Sequence, residues 1–199
     1  MSKKTTAVAK AAADKSEIVN PWIIHTSEQK YDNPWISVTE HKVTTPGGEP
    51  GIYGVVHFKN YAIAVLPIDE QGNTYLVGQY RFATQEYSWE VPEGGGKMDQ
   101  SPLEAAMREL KEETGLEAAQ WSMIHELHLS NSASDERGFV FVARKLKQGK
   151  SHPEHTEDLK VEKIPFAELY QRVMRGEYRD ALTVIAVLKA KALMDNGGL

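Results

Sequence analysis

The 199-residue chain reads as an α/β protein, a mixed sheet with helices packed on it. Three observations predict this. β-Branched and aromatic runs fill the first half. Helical patterns occupy the middle and the C-terminal end. Strands and helices do not alternate regularly as a doubly wound fold requires, and no internal repeat is present.

Taken in order, residues 1–19 form an Ala-Lys-Thr tail of disordered composition. A turn-rich segment around Asn33-Pro34 leads into WISVTEHKVTT, whose alternation predicts a strand that Pro46-Gly47-Gly48 ends. Strands are expected over Gly51–Phe58, Tyr61–Pro67 and Thr74–Tyr80, separated by Lys59-Asn60 and by Asp69-Glu70-Gln71-Gly72-Asn73. Tyr87–Val91 is a shorter one, and the following EVPEGGGKMD is a glycine loop. Ser101, Pro102 and Glu104 form a helix start, and Gly115 the stop. Strands at Trp121–His128, Phe139–Lys145 and around Asp158–Ile164 precede helices at Phe166–Arg175 and Arg179–Met194.

Composition narrows the function classes. With 41% hydrophobic and 26% charged residues, and no apolar run near the roughly 20 residues of a membrane span, a soluble protein is expected. The absence of cysteine excludes disulfides, thiolate zinc sites and cysteine nucleophiles and fits a cytoplasmic location. The N-terminus lacks the apolar core of a secretory signal. Net charge is −5, and the tail contributes +2, so the remainder carries −7. A broad nucleic-acid surface is therefore not expected, and phosphate chemistry on this chain calls for metal cations or a few placed arginines.

The stretch SPLEAAMRELKEETG crowds Glu109, Glu112 and Glu113 onto one helical arc. At about 100° per residue, Leu103, Ala106, Met107 and Leu110 make an adjoining apolar stripe expected to be buried. Like charges at i, i+3 and i+4 cost a few tenths of a kcal/mol per pair, a cost that a divalent cation reverses. Magnesium takes hard oxygen ligands and bridges carboxylates to substrate phosphates. Gly94, Gly95 and Gly96 permit close backbone approach beside those carboxylates. Other phosphate loops fail on spacing: Val91 and Met98 break a Walker A motif, and Asp99 breaks a GxGxxG motif. His125 and His128 lack metalloprotease spacing, and no GxSxG elbow exists.

The spacing that fits resembles the Nudix box. Gly94, Arg108-Glu109-Leu110, Glu112-Glu113 and Gly115-Leu116 match, eight of nine specified positions over 23 residues, with Gln100 standing where the box has Glu. Outside the box, Gln79-Tyr80-Arg81, Trp89-Glu90-Val91-Pro92 and GEYRDALTVIAVLKA are similar to the ADP-ribose pyrophosphatase branch. The resemblance implies an α/β/α sandwich with a mixed sheet, residues 59–199, preceded by an antiparallel strand region at 20–58 that forms a homodimer. It implies hydrolysis of ADP-ribose or a related nucleoside diphosphate sugar with Mg²⁺ or Mn²⁺. GDP-mannose is the alternative substrate, and a non-catalytic nucleotide sensor the more distant alternative. Carried over residue by residue, Glu109, Glu112, Glu113 and the Gly94 carbonyl hold metal. Glu113, Glu157 and Arg108 serve catalysis, Arg108 by orienting the glutamates and Glu157 as ligand or base, ahead of Glu136 and Glu154. Arg81 pairs with the diphosphate and Glu90 lies near the metals. Trp35 and Tyr53, with Trp22, are candidates for the purine platform.

Overall fold

The computed structural model describes residues 19–149 and 159–199. The tail 1–18 and the segment 150–158, which carries Glu154 and Glu157, lie outside the described residues. Among the described residues, ten strands and three helices occur in the order β1 (Ile23–Asp32), β2 (Ile36–Thr44), β3 (Pro50–Phe58), β4 (Asn60–Pro67), β5 (Asn73–Arg81), β6 (Glu86–Glu90), β7 (Glu93–Lys97), α1 (Pro102–Thr114), β8 (Leu116–His128), β9 (Arg137–Gln148), β10 (Lys160–Pro165), α2 (Phe166–Met174) and α3 (Ala181–Asp195).

Strands β1, β2 and β3 form an antiparallel meander. The central sheet has the order β7-β4-β9-β8, with β4 and β9 parallel and the outer pairs antiparallel. A third, antiparallel sheet has the order β10-β5-β6. The mixed sheet lies between α1, packed on β7, β4 and β8, and α3, packed on β4, β9 and β8.

The period-2 geometry of a strand explains why β4 reads as an unbroken apolar run. Ile63 and Val65 enter the core under α1 with Phe139, Phe141 and Leu110. Ala64 and Leu66 enter the core under α3 with Val140, Val142 and Val187. Both faces are covered from Ile63 to Leu66, so no position in that stretch is free to be polar.

Helix α1 begins as its sequence dictates. The Ser101 hydroxyl accepts from Leu103 N–H and the Glu104 carboxylate accepts from Ser101 N–H, both at 3.3 Å. It ends at Gly115, whose φ of 72° is open to glycine at little cost.

Three expectations need correction. The lead-in to Asn33 is a full strand, β1, with every residue exposed; paired only with β2 and buried on neither face, it carries no apolar alternation. The glycine loop is largely strand β7, paired with β4 from Lys97↔Asn60 to Glu93↔Ala64. Its glycines answer to packing, since a Cβ on Gly96 would come within 3.1 Å of Ala105 Cβ. Lastly, α1 does not bury Leu103 and Met107, which are 36% and 46% exposed. It buries Ala105, Ala106, Glu109, Leu110, Glu113 and Thr114, so two carboxylates take places that pure hydrophobicity assigns to a leucine and a methionine.

Candidate active site

The buried carboxylates of α1 lean on β7. Gly94 stands opposite Glu109 so closely that a Cβ on it would overlap the Glu109 carboxylate. Glu93 N–H donates to Glu113 Oε2 at 3.0 Å. Glu109 is 8% and Glu113 3% exposed, while Glu112, one turn along, is half-buried. Arg108 braces the group: its guanidinium lies 2.8 Å from Glu109 and 3.0 Å from Glu112 and donates to the Gly95 carbonyl at 2.7 Å. Although burial opposes its charge, Glu109 and Glu112 hold the Arg108 pKa above its ordinary value. Lys111 turns away to Glu117 at 2.6 Å.

One guanidinium against three carboxylates leaves this face with an excess of negative charge. The donors are hard oxygens, two of them nearly sealed from water, and the strand beside them is glycine where a side chain would intrude. That set fits a hard divalent cation, and it does not suit a soft or redox metal, which favours thiolate or imidazole.

These residues open into a cleft with two lobes. The first, about 540 Å³, is bounded by Glu109, Glu112, Arg108, Lys97, Gln100 and Gly94. The second, about 420 Å³, is bounded by Phe58, Tyr61, Arg81, Glu93, Glu136 and Leu182. Trp35, Asn60, Gly94 and Gly95 border both, and Trp35 overhangs them with 66% of its surface exposed. A separate cavity of about 600 Å³ lies between β6 and the α2–α3 turn. Its charges are paired with one another, Arg179 with Glu86 and Arg172 with Glu177, and the α1 carboxylates do not border it.

Arg81 reaches the second lobe but is already engaged. Its Nε donates to both oxygens of Glu90 at 3.1 and 3.0 Å, and its Nη2 to Glu90 and Glu93. Glu90, expected near the metals, is 3% exposed and sits behind Arg81. Carboxylate oxygens of Glu90, Glu93 and Asp180 all lie within 4.8 Å of one another. Burial, then Asp180 and Glu90, push the Glu93 carboxyl well above the usual range. Asp180 also caps α3, accepting from Thr183 N–H at 2.6 Å, and Thr183 Oγ1 accepts from Val91 N–H at 3.0 Å. This network ties α3 to the approach of β7.

Tyr53 borders neither lobe of the cleft. Its hydroxyl donates to the Ser132 carbonyl at 2.5 Å, and its ring meets Trp22 edge-on at 5.2 Å. Glu136 enters the second lobe, and burial, then Asp135, raise its carboxyl pKa. Sequence reasoning missed Glu93 and Asp180. The available signals were an acidic residue placed directly before a glycine run and an Asp at a helix start.

Comparison with known proteins places this geometry. A family model described as "NUDIX domain" matches residues 58–183, and one described as "Nucleoside diphosphate sugar hydrolase N-terminal domain" matches residues 22–56. The chain is 33% identical over 174 residues to an ADP-ribose pyrophosphatase of Mycobacterium tuberculosis, covering 84% of this chain and 82% of the relative. It is 28% identical over 162 residues to an ADP-ribose pyrophosphatase of Bacillus subtilis, covering 80% and 87%. A crystal structure described as an ADP compounds hydrolase superposes with a TM-score of 0.80 at 22% identity, over 92% of this chain and 100% of that one, which establishes the shared fold.

Proposed function

The chain belongs to the NUDIX domain family, and from that premise we propose that it is a Mg²⁺-dependent hydrolase of ADP-ribose or a closely related nucleoside diphosphate sugar. The products are a nucleoside monophosphate and a sugar phosphate. One observation carries the reading: Glu109, Glu112 and Glu113 share a helix face that leans on β7, with Glu109 against Gly94 and Glu109 and Glu112 at the wall of an open cleft.

In this reading the three glutamates, helped by the Gly94 carbonyl, hold divalent cations, Mg²⁺ or Mn²⁺. Such a cation supplies Lewis-acid charge to the diphosphate and acidifies a water. Arg108 restrains Glu109 and Glu112, which lowers the reorganisation needed when the cation binds. Glu93 N–H fixes Oε2 of Glu113 and so sets the orientation of that carboxylate on α1. Arg81, oriented by Glu90 and Glu93, turns its remaining donors to the diphosphate. Trp35 offers the purine a face at the cleft mouth. Glu157 takes the proton of the attacking water or completes the ligand set; it lies outside the described residues.

The same reading divides the chain into a strand region at 20–58 and a hydrolase domain at 59–199. It makes the protein a cytoplasmic homodimer. Exposed Trp22, Ile23, Ile24, Tyr31 and Ile52 on the N-terminal meander support burial against a second copy, through which Tyr53 and Trp22 approach the partner's nucleotide. Among the described residues no helix is long and apolar enough to cross a membrane.

The test is product analysis with ADP-ribose and GDP-mannose, each with and without Mg²⁺. The reading expects AMP and ribose 5-phosphate from ADP-ribose only when metal is present, at higher kcat/KM than GMP release from GDP-mannose. The reverse order gives the substrate to GDP-mannose. Binding of both without hydrolysis of either overturns the enzyme assignment.

A further inference from the structure

We propose that Lys97, Asn60 and Gln100 form a subsite for an anionic substituent, a phosphate ester or a carboxylate, that the substrate carries outside its diphosphate. The inference rests on the nucleoside diphosphate sugar reading and deepens it by naming acidic members of that class as the preferred substrates.

The fold gathers the three side chains at the first lobe of the cleft. Lys97 and Asn60 are register partners across β7 and β4, so their Cβ atoms stand on the same face of the sheet, about 4.5–5.5 Å apart. Gln100 N–H donates to the Lys97 carbonyl at 3.1 Å, closing a turn that brings the chain back beside Lys97. All three border the first lobe, and Asn60 borders both. None of the three side chains makes a hydrogen bond or ion pair with another described residue. The cations nearby are committed. Lys59 Nζ donates to Asp32 and to the Asn33 carbonyl, both at 2.5 Å, and Arg108 is the guanidinium that braces Glu109 and Glu112.

Position along β7 separates Lys97 from the diphosphate. In the proposed reading the diphosphate lies at Gly94, between the α1 carboxylates and Arg81. Arg81 meets the strand at Glu93, and Lys97 is four residues further on, about 13 Å along a strand that rises roughly 3.3 Å per residue. A single diphosphate does not cover that length, so the acceptor for Lys97 belongs to another part of the ligand. Chemistry names the group. The ammonium is a donor without acceptor capacity, and each amide adds N–H donors beside it. A phosphate ester or carboxylate accepts several such hydrogen bonds and is reinforced by charge. A neutral sugar hydroxyl meets the same donors without that reinforcement and gains less.

The experiment sets neutral compounds against acidic counterparts. ADP-ribose is paired with ADP-ribose 2′-phosphate, which puts the charge on the nucleoside, and ADP-glucose with ADP-glucuronate, which puts it on the sugar. Wild type, Lys97→Met and Lys97→Arg are compared by kcat/KM with Mg²⁺, and by Kd for the four uncleavable α,β-methylene analogues. Wild type should favour the acidic member of at least one pair about tenfold or more, and the pair that does so locates the charge on nucleoside or sugar. Lys97→Met should bring that ratio to about one, and Lys97→Arg should retain most of it. Lys97 is exposed, so neither change threatens the fold. No preference in either pair, or a preference that Lys97→Met leaves intact, overturns the inference. Tighter binding of an acidic analogue with cleavage of none of the four substrates fails the hydrolase reading and leaves the subsite standing; cleavage without preference does the reverse.

Discussion

Gly94→Ala isolates the contact on which the carboxylate face depends. Gly94 is not among the positive-φ glycines, so alanine brings no backbone strain and acts only through its methyl group. That methyl would occupy the space of the Glu109 carboxylate carbon and both its oxygens. Either Glu109 swings away, leaving Arg108 at 2.8 Å and its buried place, or β7 draws back from β4. Overpacking of this kind costs about 1–3 kcal/mol. The next residue is the control: a Cβ on Gly95 would meet only Asn60 Cβ at 3.7 Å, an ordinary contact. Gly95→Ala should then be neutral or stabilising by about 0.4–1 kcal/mol through the unfolded chain. Urea denaturation without metal should separate the two adjacent variants by about 1–4 kcal/mol, combining those ranges. Mn²⁺ titration should show Gly94→Ala binding at least tenfold more weakly than wild type, since one of three ligands is displaced. Equal midpoints for the two variants, or unaltered Mn²⁺ affinity in Gly94→Ala, would refute the packing argument.

Other perturbations reach the frame around the site. Arg81→Met leaves Glu90 buried without its cation and should destabilise by about 3–5 kcal/mol in chemical denaturation; an unchanged midpoint would show that the Arg81–Glu90 pairing contributes little to the fold. Thr183→Val removes the acceptor of the buried Val91 N–H and should cost about 1–3 kcal/mol, loosening the junction between β6 and α3 in hydrogen exchange. Asp69 accepts from Asn73 N–H at 2.8 Å and pairs with Lys163 at 2.7 Å; against the opposing effect of burial, these hold its pKa down at about 2. The folded pKa lies below the ordinary 3.8, so its stabilisation is fully present above about pH 4 and fades as pH falls towards 2. The difference in melting temperature between wild type and Asp69→Ala should therefore shrink over that window, and a gap constant from pH 6 to 2.5 would contradict it.

Elements buried on both faces were legible because burial writes itself into sequence: β4 and β9 read as strands and lie where they were read. Strand β1 was not legible because hydrogen bonding to β2 shapes it while neither face demands apolar residues. Strand β7 was hidden by its own solution to crowding, since glycines that let α1 approach read as loop punctuation. The stripe on α1 was misjudged for a related reason. Hydrophobicity favours Leu103 and Met107, but the helix turns Glu109 and Glu113 inward towards β7. The carboxylate trio was visible from spacing alone, because i, i+3 and i+4 share a face on any helix. Glu93 and Asp180, 87 positions apart, meet only through the tertiary fold. Each has a local signal of its own, but their meeting has none.

The central claim, that the inward carboxylates of α1 hold the cation on which diphosphate cleavage depends, is met most directly by one measurement. Mg²⁺-dependent release of AMP from ADP-ribose should be compared between wild type and Glu113→Gln, with Mn²⁺ affinity measured on the same samples. The account predicts that the isosteric loss of one charge weakens metal binding and lowers turnover by at least about a hundredfold. A Glu113→Gln protein that binds Mn²⁺ and turns over ADP-ribose as wild type does would contradict it.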